Sequence, residues 1–338
     1  MRASLVTAPG TPEPVRVASV ADPSPQPHWV NVRLHHAALN RLDVVQLAAR
    51  TPDDTGAIFG SDGAGTVEAL GSGLSPGPAM SPGDEVVILP SLFWGPSPAA
   101  PGPSYEILGS PTNGTHAEIV CVPAANLYPK PRHLSWPEAA ALPMATLTAW
   151  RALVTRGRLA EHECVVVGAA SSGVGSAAIQ IAVAHGARVV AVTSSEERAA
   201  HALKLGASVA IDRRHREFPE QLRRATDGAD LALDPTGALW QAFVDVLRPG
   251  GRLVVVGKVG AAQAQLGVQS VYWKQVDVLG STMGSPRDFA ALITHLSTHQ
   301  WAPSLDSVFP LSAVQDAYAR LDSPLRAGKV VLDVREHS

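Results

Sequence analysis

Residues 1–35 alternate short apolar strands with proline-rich turns at Pro23, Pro25 and Pro27. Trp29 to Leu34, read Trp-Val-Asn-Val-Arg-Leu, has the period-two alternation of a half-buried strand, and His35–His36 is expected to end it. Neighbouring strand residues point to opposite faces, so the His pair reads as structural rather than as two ligands of one metal. From Cys164 the pattern changes. Cys164–Val167 is a continuous apolar, β-branched run, as a strand buried on both faces requires. Gly168 to Gly175 is small throughout, and Ser176–Ala184 reads as a buried helix. Strands are expected again at 188–192, 208–211, 230–233 and 252–256, which predicts repeated β-α units and a parallel sheet. A last edge strand is expected at Val276–Leu279.

A strand, a small-residue turn and a helix start together make an anion site, because first-turn N–H groups are free and the helix dipole favours negative charge. Ala170, Ser171, Ser172, Gly173, Val174 and Gly175 are the candidate cradle, and a dinucleotide pyrophosphate is its usual occupant. The usual glycine pattern falls on Ala170, Ser172 and Gly175, so two of its places carry another small residue. A tight strand-to-helix turn in any α/β protein is the alternative. After the second strand, Val192-Thr193-Ser194-Ser195 has no acid at the strand tip, where an NAD site usually carries one for the ribose. Arg198 lies one helical turn on, and Arg213 and Arg214 follow the next strand. Hydroxyls with guanidinium forks suit a 2′-phosphate, which favours NADPH over NADH. The other reading makes Glu196, Glu197 and Arg198 a solvated helix start.

Composition narrows the classes. The chain has 338 residues, 46% hydrophobic and 17% charged, enough for two folded domains. A net charge of −3 with no basic block favours neither nucleic acid nor an anionic membrane as partner. The start, Met1-Arg2-Ala3-Ser4-Leu5-Val6, lacks the apolar core of a signal peptide, and no run approaches the roughly 20 apolar residues of a membrane span. Two cysteines, Cys121 and Cys164, both in strand-like sequence, read as buried free thiols. A cytoplasmic protein is the expectation.

Four stretches in one order carry a resemblance: Asn40-x-x-Asp43, then Gly60-Ser61-Asp62-Gly63-Ala64-Gly65-Thr66-Val67, then Gly83-Asp84-x-Val86, then the turn at 168–175. Together they resemble the medium-chain dehydrogenase/reductase superfamily over nearly the whole chain. The resemblance implies an α/β protein: a β-rich, distorted-barrel (GroES-like) catalytic domain, residues 1–129 and 300–338, with a doubly wound parallel-sheet (Rossmann) nucleotide-binding domain, 130–299, inserted in it. Ser135–Trp150 would hold the linking helices, with Ser135 as a cap and Pro137 in the first turn. Val308–Leu311 and Gly328–Val334 would be the closing elements. The family's edge strand pairs with its copy, so a homodimer is expected.

In zinc-bearing members the catalytic ligands are Cys, His and Cys, and those places fall on Asn40, Ser61 and Met144, with Asp62 where a Glu stands. Neither this set nor the cysteine-free stretch Ser91–Ser110 suits zinc. The sequence is therefore similar to the zinc-free quinone oxidoreductase (zeta-crystallin-like) and alcohol dehydrogenase-like branches. That implies NADPH-dependent hydride transfer to a quinone or an activated alkene or carbonyl. A zinc-independent alcohol or aldehyde dehydrogenase-like enzyme, or a cofactor-binding protein without turnover, are the alternatives. By resemblance, Asn40 is an amide donor beside the nicotinamide or acceptor, or else a turn cap. Asp43 and Asp62 position its loop, and Thr148 packs on the nicotinamide. Asp234, Val256, Gly257 and Lys258 end strands at the carboxyl edge, and Ser281 and Thr282 contact the nicotinamide end. Lys329 either reaches a cofactor phosphate or is a solvated strand-end lysine. Phe93, Trp94 and Tyr105 either roof the acceptor pocket or pack on the proline-rich loop.

Overall fold

The computed structural model describes residues 1–77 and 80–335. The chain divides into two compact units, Met1–Met144 with Ser285–Ser338, and Ala145–Gly284. The first part of unit 1 contains β1 (Arg2–Val6), β2 (Val15–Ser19), β3 (Trp29–Ala38), α1 (Arg41–Ala48), β4 (Asp62–Leu70), β5 (Glu85–Ile88), β6 (Ser91–Leu92), β7 (Glu106–Ile107), β8 (Ile119–Pro123), β9 (Leu127–Pro129) and α2 (Trp136–Ala141). Helix α3 (Pro143–Trp150) carries the chain across the division. Unit 2 contains β10 (Cys164–Val167), α4 (Gly173–Ala184), β11 (Arg188–Thr193), α5 (Glu196–Lys204), β12 (Val209–Asp212), α6 (Phe218–Thr226), β13 (Ala229–Asp234), α7 (Trp240–Val246), β14 (Leu247–Val255), α8 (Val268–Lys274) and β15 (Asp277–Gly280). Helix α9 (Pro286–His299), β16 (Leu305–Pro310), α10 (Val314–Asp322) and β17 (Lys329–Asp333) return to unit 1.

Unit 1 is built on a sheet of order β16-β17-β3-β4-β5-β9, with β8 also on β3. Its pairs are antiparallel except β16–β17. Val30, Val32 and Leu34 of β3 and Val86 and Ile88 of β5 are buried with Leu311, Val314 and Leu321 in one core. β3 does not stop at His35–His36. It runs on to Ala38, because Ala37 and Ala38 pair with β4 on one side and β17 on the other. His35 stacks on Trp136 at 3.9 Å, and His36 Nε2 lies 3.6 Å from Asp333 Oδ2. α2 packs on β3, β4 and β17, and Tyr128 meets Phe289 of α9 edge-on at 4.8 Å. Those contacts group 130–144 and 285–299 with unit 1, whereas the family resemblance implies that both fall within a nucleotide-binding domain of 130–299.

Unit 2 is one parallel sheet of order β12-β11-β10-β13-β14-β15, with every neighbouring pair parallel. Chain order therefore reverses direction between β10 and β13. The carboxyl ends of those two strands are where such sheets bind ligands. Val166, Val190, Ala232 and Leu253 are fully buried among Phe243, Val244 and Leu222. Strands at all five expected places form. α4 begins at Gly173, three residues before the expected start, because Ser172 caps it: its Oγ accepts the Gly175 N–H at 3.0 Å. No helix among the described residues is long and apolar enough to cross a membrane.

Candidate functional site

Unit 2 presents the first turn of α4 directly after β10. The chain reverses through Ala169 at φ +45° and meets the helix so tightly that a Cβ on Gly175 would lie 2.3 Å from the Ala169 carbonyl oxygen. Only glycine fits there. The N–H groups of Gly173 and Val174, in the first turn, have no intrahelical acceptor. Ala170 and Ser171 are buried beneath them, and Ser176 Oγ meets His201 Nε2 at 3.0 Å.

At the tip of β11, Thr193 is buried and bonded back to the Ile211 carbonyl at 3.4 Å, so it builds the floor of this corner. Ser194 Oγ accepts from Arg198 Nη1 at 2.6 Å, and Ser195 caps α5. Arg198 Nε is buried without a hydrogen-bond partner. The guanidinium's pKa is pushed down, first by burial and then by the charges of Arg213 and Arg214. Arg214 forks onto Asp212, whereas Arg198 and Arg213 have no ion pair among the described residues. Crowded, partly desolvated guanidinium groups gain by taking up an anion.

The remaining sequence candidates in unit 2 fall in two groups. Asp234 is fully buried and spends its carboxylate locally: Oδ1 accepts from Thr236 N at 2.8 Å and Thr236 Oγ1 at 2.7 Å, Oδ2 from Leu239 N at 3.1 Å. It shapes the loop at the end of β13. Val256 and Gly257 are half-buried after β14 and Lys258 is exposed. Ser281 N–H donates to the Val255 carbonyl, leaving a buried Oγ without a partner, and Thr282 beside it is exposed. Thr148 is buried on α3. The orphaned Arg198 Nε and Ser281 Oγ, with the α4 cradle, fit a phosphorylated nucleotide that lies over the carboxyl ends of β10 and β13.

Unit 1 holds a buried polar cluster. Asn40 caps α1, Asp62 opens β4 and Lys329 opens β17. Gly328, at φ +105°, makes the turn that aims Lys329 inward; a side chain there would meet the Ser304 carbonyl at 2.7 Å. Lys329 Nζ donates to Asn40 Oδ1 at 2.6 Å and to Asp62 Oδ2 at 2.7 Å. Asn40 Nδ2 donates to the same Oδ2 at 2.9 Å, and the Met144 N–H donates to Asp62 Oδ1 at 2.7 Å. Asp43 Oδ2 accepts the Asn40 N–H at 2.6 Å. Burial pushes the Asp43 carboxyl up to about 7; the Asn40 N–H and the Lys329 charge pull it down, and Asp62 raises it further. His116, beside Tyr318, is pushed down to about 3 by burial and by Lys329, so it is uncharged at neutral pH. Lys329 is neither solvated nor extended toward a phosphate: it is 4% exposed and spent inside unit 1. Burial and bonding of this lysine are not legible in sequence; the only signals for them are Gly328-Lys329 at a strand start and an acid, Asp62, set among small residues.

The lobe resolves by packing. Trp94 is buried against Tyr105 with ring centroids at 5.3 Å, and Phe93 is 44% exposed at φ +52°.

A largely antiparallel sheet unit and a doubly wound parallel-sheet unit, the latter with a helix start of the kind that binds dinucleotides, define a two-unit α/β protein of dehydrogenase type. Residues 26–132 match the alcohol dehydrogenase GroES-like domain and residues 173–298 the zinc-binding dehydrogenase domain. A solved NAD-dependent alcohol dehydrogenase is 37% identical, with a TM-score of 0.91 over 99% of this chain and 100% of that one. Crotonyl-CoA reductase of Streptomyces avermitilis is 30% identical over 81% of this chain and 67% of its own length. Quinone oxidoreductase of Rattus norvegicus is 27% identical over 98% of this chain and 97% of its own. A phenolphthiocerol/phthiocerol polyketide synthase of Mycobacterium tuberculosis is 30% identical over 98% of this chain, which spans only 15% of the length of that relative. The chain belongs to the medium-chain dehydrogenase/reductase superfamily.

Zinc, which the name of one of those domains implies, does not fit the residues present. Asn40, Ser61 and Met144 supply an amide, a hydroxyl and a thioether, the ammonium of Lys329 stands against the Asp62 carboxylate, and the Asp43 carboxyl is turned to the Asn40 N–H. Among the described residues no group of three or more His, Cys, Asp and Glu could hold a metal ion.

Proposed function

We propose that the protein is a zinc-independent, NADPH-dependent reductase of quinones or activated alkenes and carbonyls. The observation that carries the reading is the buried Asn40–Asp62–Lys329 cluster: hydrogen-bond donors and one fixed positive charge, with no metal donor set. Reduced nicotinamide supplies a hydride. The α4 N-terminus, Gly173 to Gly175, holds the pyrophosphate, and Ser194, Arg198 and Arg213 take the 2′-phosphate. Asn40 donates to the acceptor oxygen as negative charge develops there. Without a Lewis acid an unactivated alcohol lacks a means of stabilising its alkoxide, whereas an electron-poor acceptor needs only orientation and hydrogen bonds. Similarity to a quinone oxidoreductase and a crotonyl-CoA reductase supports the acceptor class. One solved relative is described as NAD-dependent, so the choice of NADPH rests on this chain's own corner: no acid at the tip of β11, the Ser194 hydroxyl, and the guanidinium groups of Arg198 and Arg213.

The open edge of β15, with Val278 39% exposed and Trp273 of α8 75% exposed, supports a homodimer formed through that edge. NADPH oxidation against a panel of quinones and enones tests the function. Turnover on members of the panel is expected; tight NADPH binding with no turnover on any of them favours a binding protein instead.

A further inference from the structure

Asn40 can adopt two amide orientations, and its neighbours select one. Its Oδ1 faces the Lys329 ammonium at 2.6 Å and its Nδ2 faces Asp62 Oδ2 at 2.9 Å. A flipped amide would set NH2 against the ammonium and a carbonyl oxygen against the carboxylate. Asp62 cannot swing away, because the Met144 N–H holds its other oxygen at 2.7 Å. In the selected orientation one Nδ2 hydrogen is spent on Asp62 and the second is committed to no described residue. The lysine is 4% exposed and Asp62 fully buried, so the ammonium polarises the amide in a medium that screens charge poorly. An amide whose oxygen is held by a cation is a stronger donor through its nitrogen.

We propose that Lys329 is a positioning residue for hydride transfer, orienting and polarising the Asn40 amide so that its second Nδ2–H donates to the acceptor oxygen. The proposal rests on the reductase reading above and deepens it. A hydride arriving from NADPH forms the new C–H bond at the acceptor carbon. The π pair of the acceptor moves onto its oxygen, the Asn40 donor stabilises that charge, and a solvent proton completes the product. The fixed charge that other members of such an oxidoreductase class can draw from a metal would here be supplied by the chain's own side chain, one residue removed from the acceptor.

Replacing Lys329 alone strands the Asp62 carboxylate and threatens the fold. The decisive variant is therefore Asp62→Asn with Lys329→Met, which removes both charges and keeps an acceptor for the Met144 N–H. This double variant is expected to fold and to bind NADPH within about twofold of the parent. Its kcat should fall about 10- to 100-fold, below the loss seen when a whole oxyanion donor is deleted, with acceptor KM shifted far less. Lys329→Arg keeps the cation and should recover most of kcat. A folded double variant, or a folded Lys329→Met variant, that keeps parental kcat overturns the proposal and leaves Lys329 a mere counter-charge. A Lys329→Arg variant, folded and NADPH-bound, that is as slow as the charge-free one also overturns it. If the parent itself turns over no quinone or enone, the reductase reading fails first, which is a distinguishable result.

Discussion

Arg198→Ala tests the cofactor assignment most sharply. The guanidinium is anchored through Nη1 to Ser194 Oγ at 2.6 Å, and its Nε is buried with no partner. It also carries the repulsion of Arg213 and Arg214, which lowers its pKa after burial. A bound 2′-phosphate would satisfy the donor and relieve the repulsion together. Hydrogen bonds to charged groups contribute about 1.5–3 kcal/mol each. Losing one such fork contact should raise the NADPH dissociation constant about 10- to 150-fold. NADH has no 2′-phosphate, so its dissociation constant should move less than about twofold, with a small gain from the relieved repulsion. Fluorescence titration of the reduced cofactors against parent and variant reads both constants directly. An equal loss for both cofactors would make Arg198 a structural residue. NADH binding tighter than NADPH in the parent would refute the assignment outright.

Other expectations follow from the same geometry. Gly175→Ala puts a Cβ 2.3 Å from the Ala169 carbonyl and should weaken NADPH binding at least about tenfold, read by the same titration; unchanged affinity would remove the α4 cradle from the account. Asp43 holds its proton more tightly folded, at about 7, than unfolded, at 3.8. Its contribution therefore favours the fold below about pH 4 and is lost as pH rises through 7, by up to roughly 4 kcal/mol. Asp43→Asn should accordingly flatten the decline in denaturation midpoint across that window, and a parallel pH profile in parent and variant would contradict this. Sedimentation should give the mass of two chains, and a one-chain mass at micromolar concentration would remove the β15-edge dimer.

Much of the fold was legible because unit 2 writes its strands as uninterrupted apolar runs. Cys164–Val167 and three of the four runs after it lie in the interior of one sheet, where no other pattern survives, and the remaining one, β12, closes its edge. Boundaries were less legible where capping decides them: Ser172, a single hydroxyl, starts α4 among residues that all look like turn. β3 outran its expected end since pairing with two strands distant in the chain, β4 and β17, holds Ala37 and Ala38, and local pattern carries no trace of such partners. The Ser194–Arg198 contact was readable because the two residues are close in the chain and meet across one helical turn. The Lys329 cluster was not, because it joins positions 40, 62 and 329, and only the folded sheet brings β4 and β17 beside the α1 cap.

Metal content and turnover measured on one preparation test the central claim most directly. Purified protein, treated with a chelator and assayed for NADPH oxidation with an enone or quinone, should hold far less than one zinc per chain and keep its full rate. Activity that disappears with the chelator and returns on adding zinc would contradict the account.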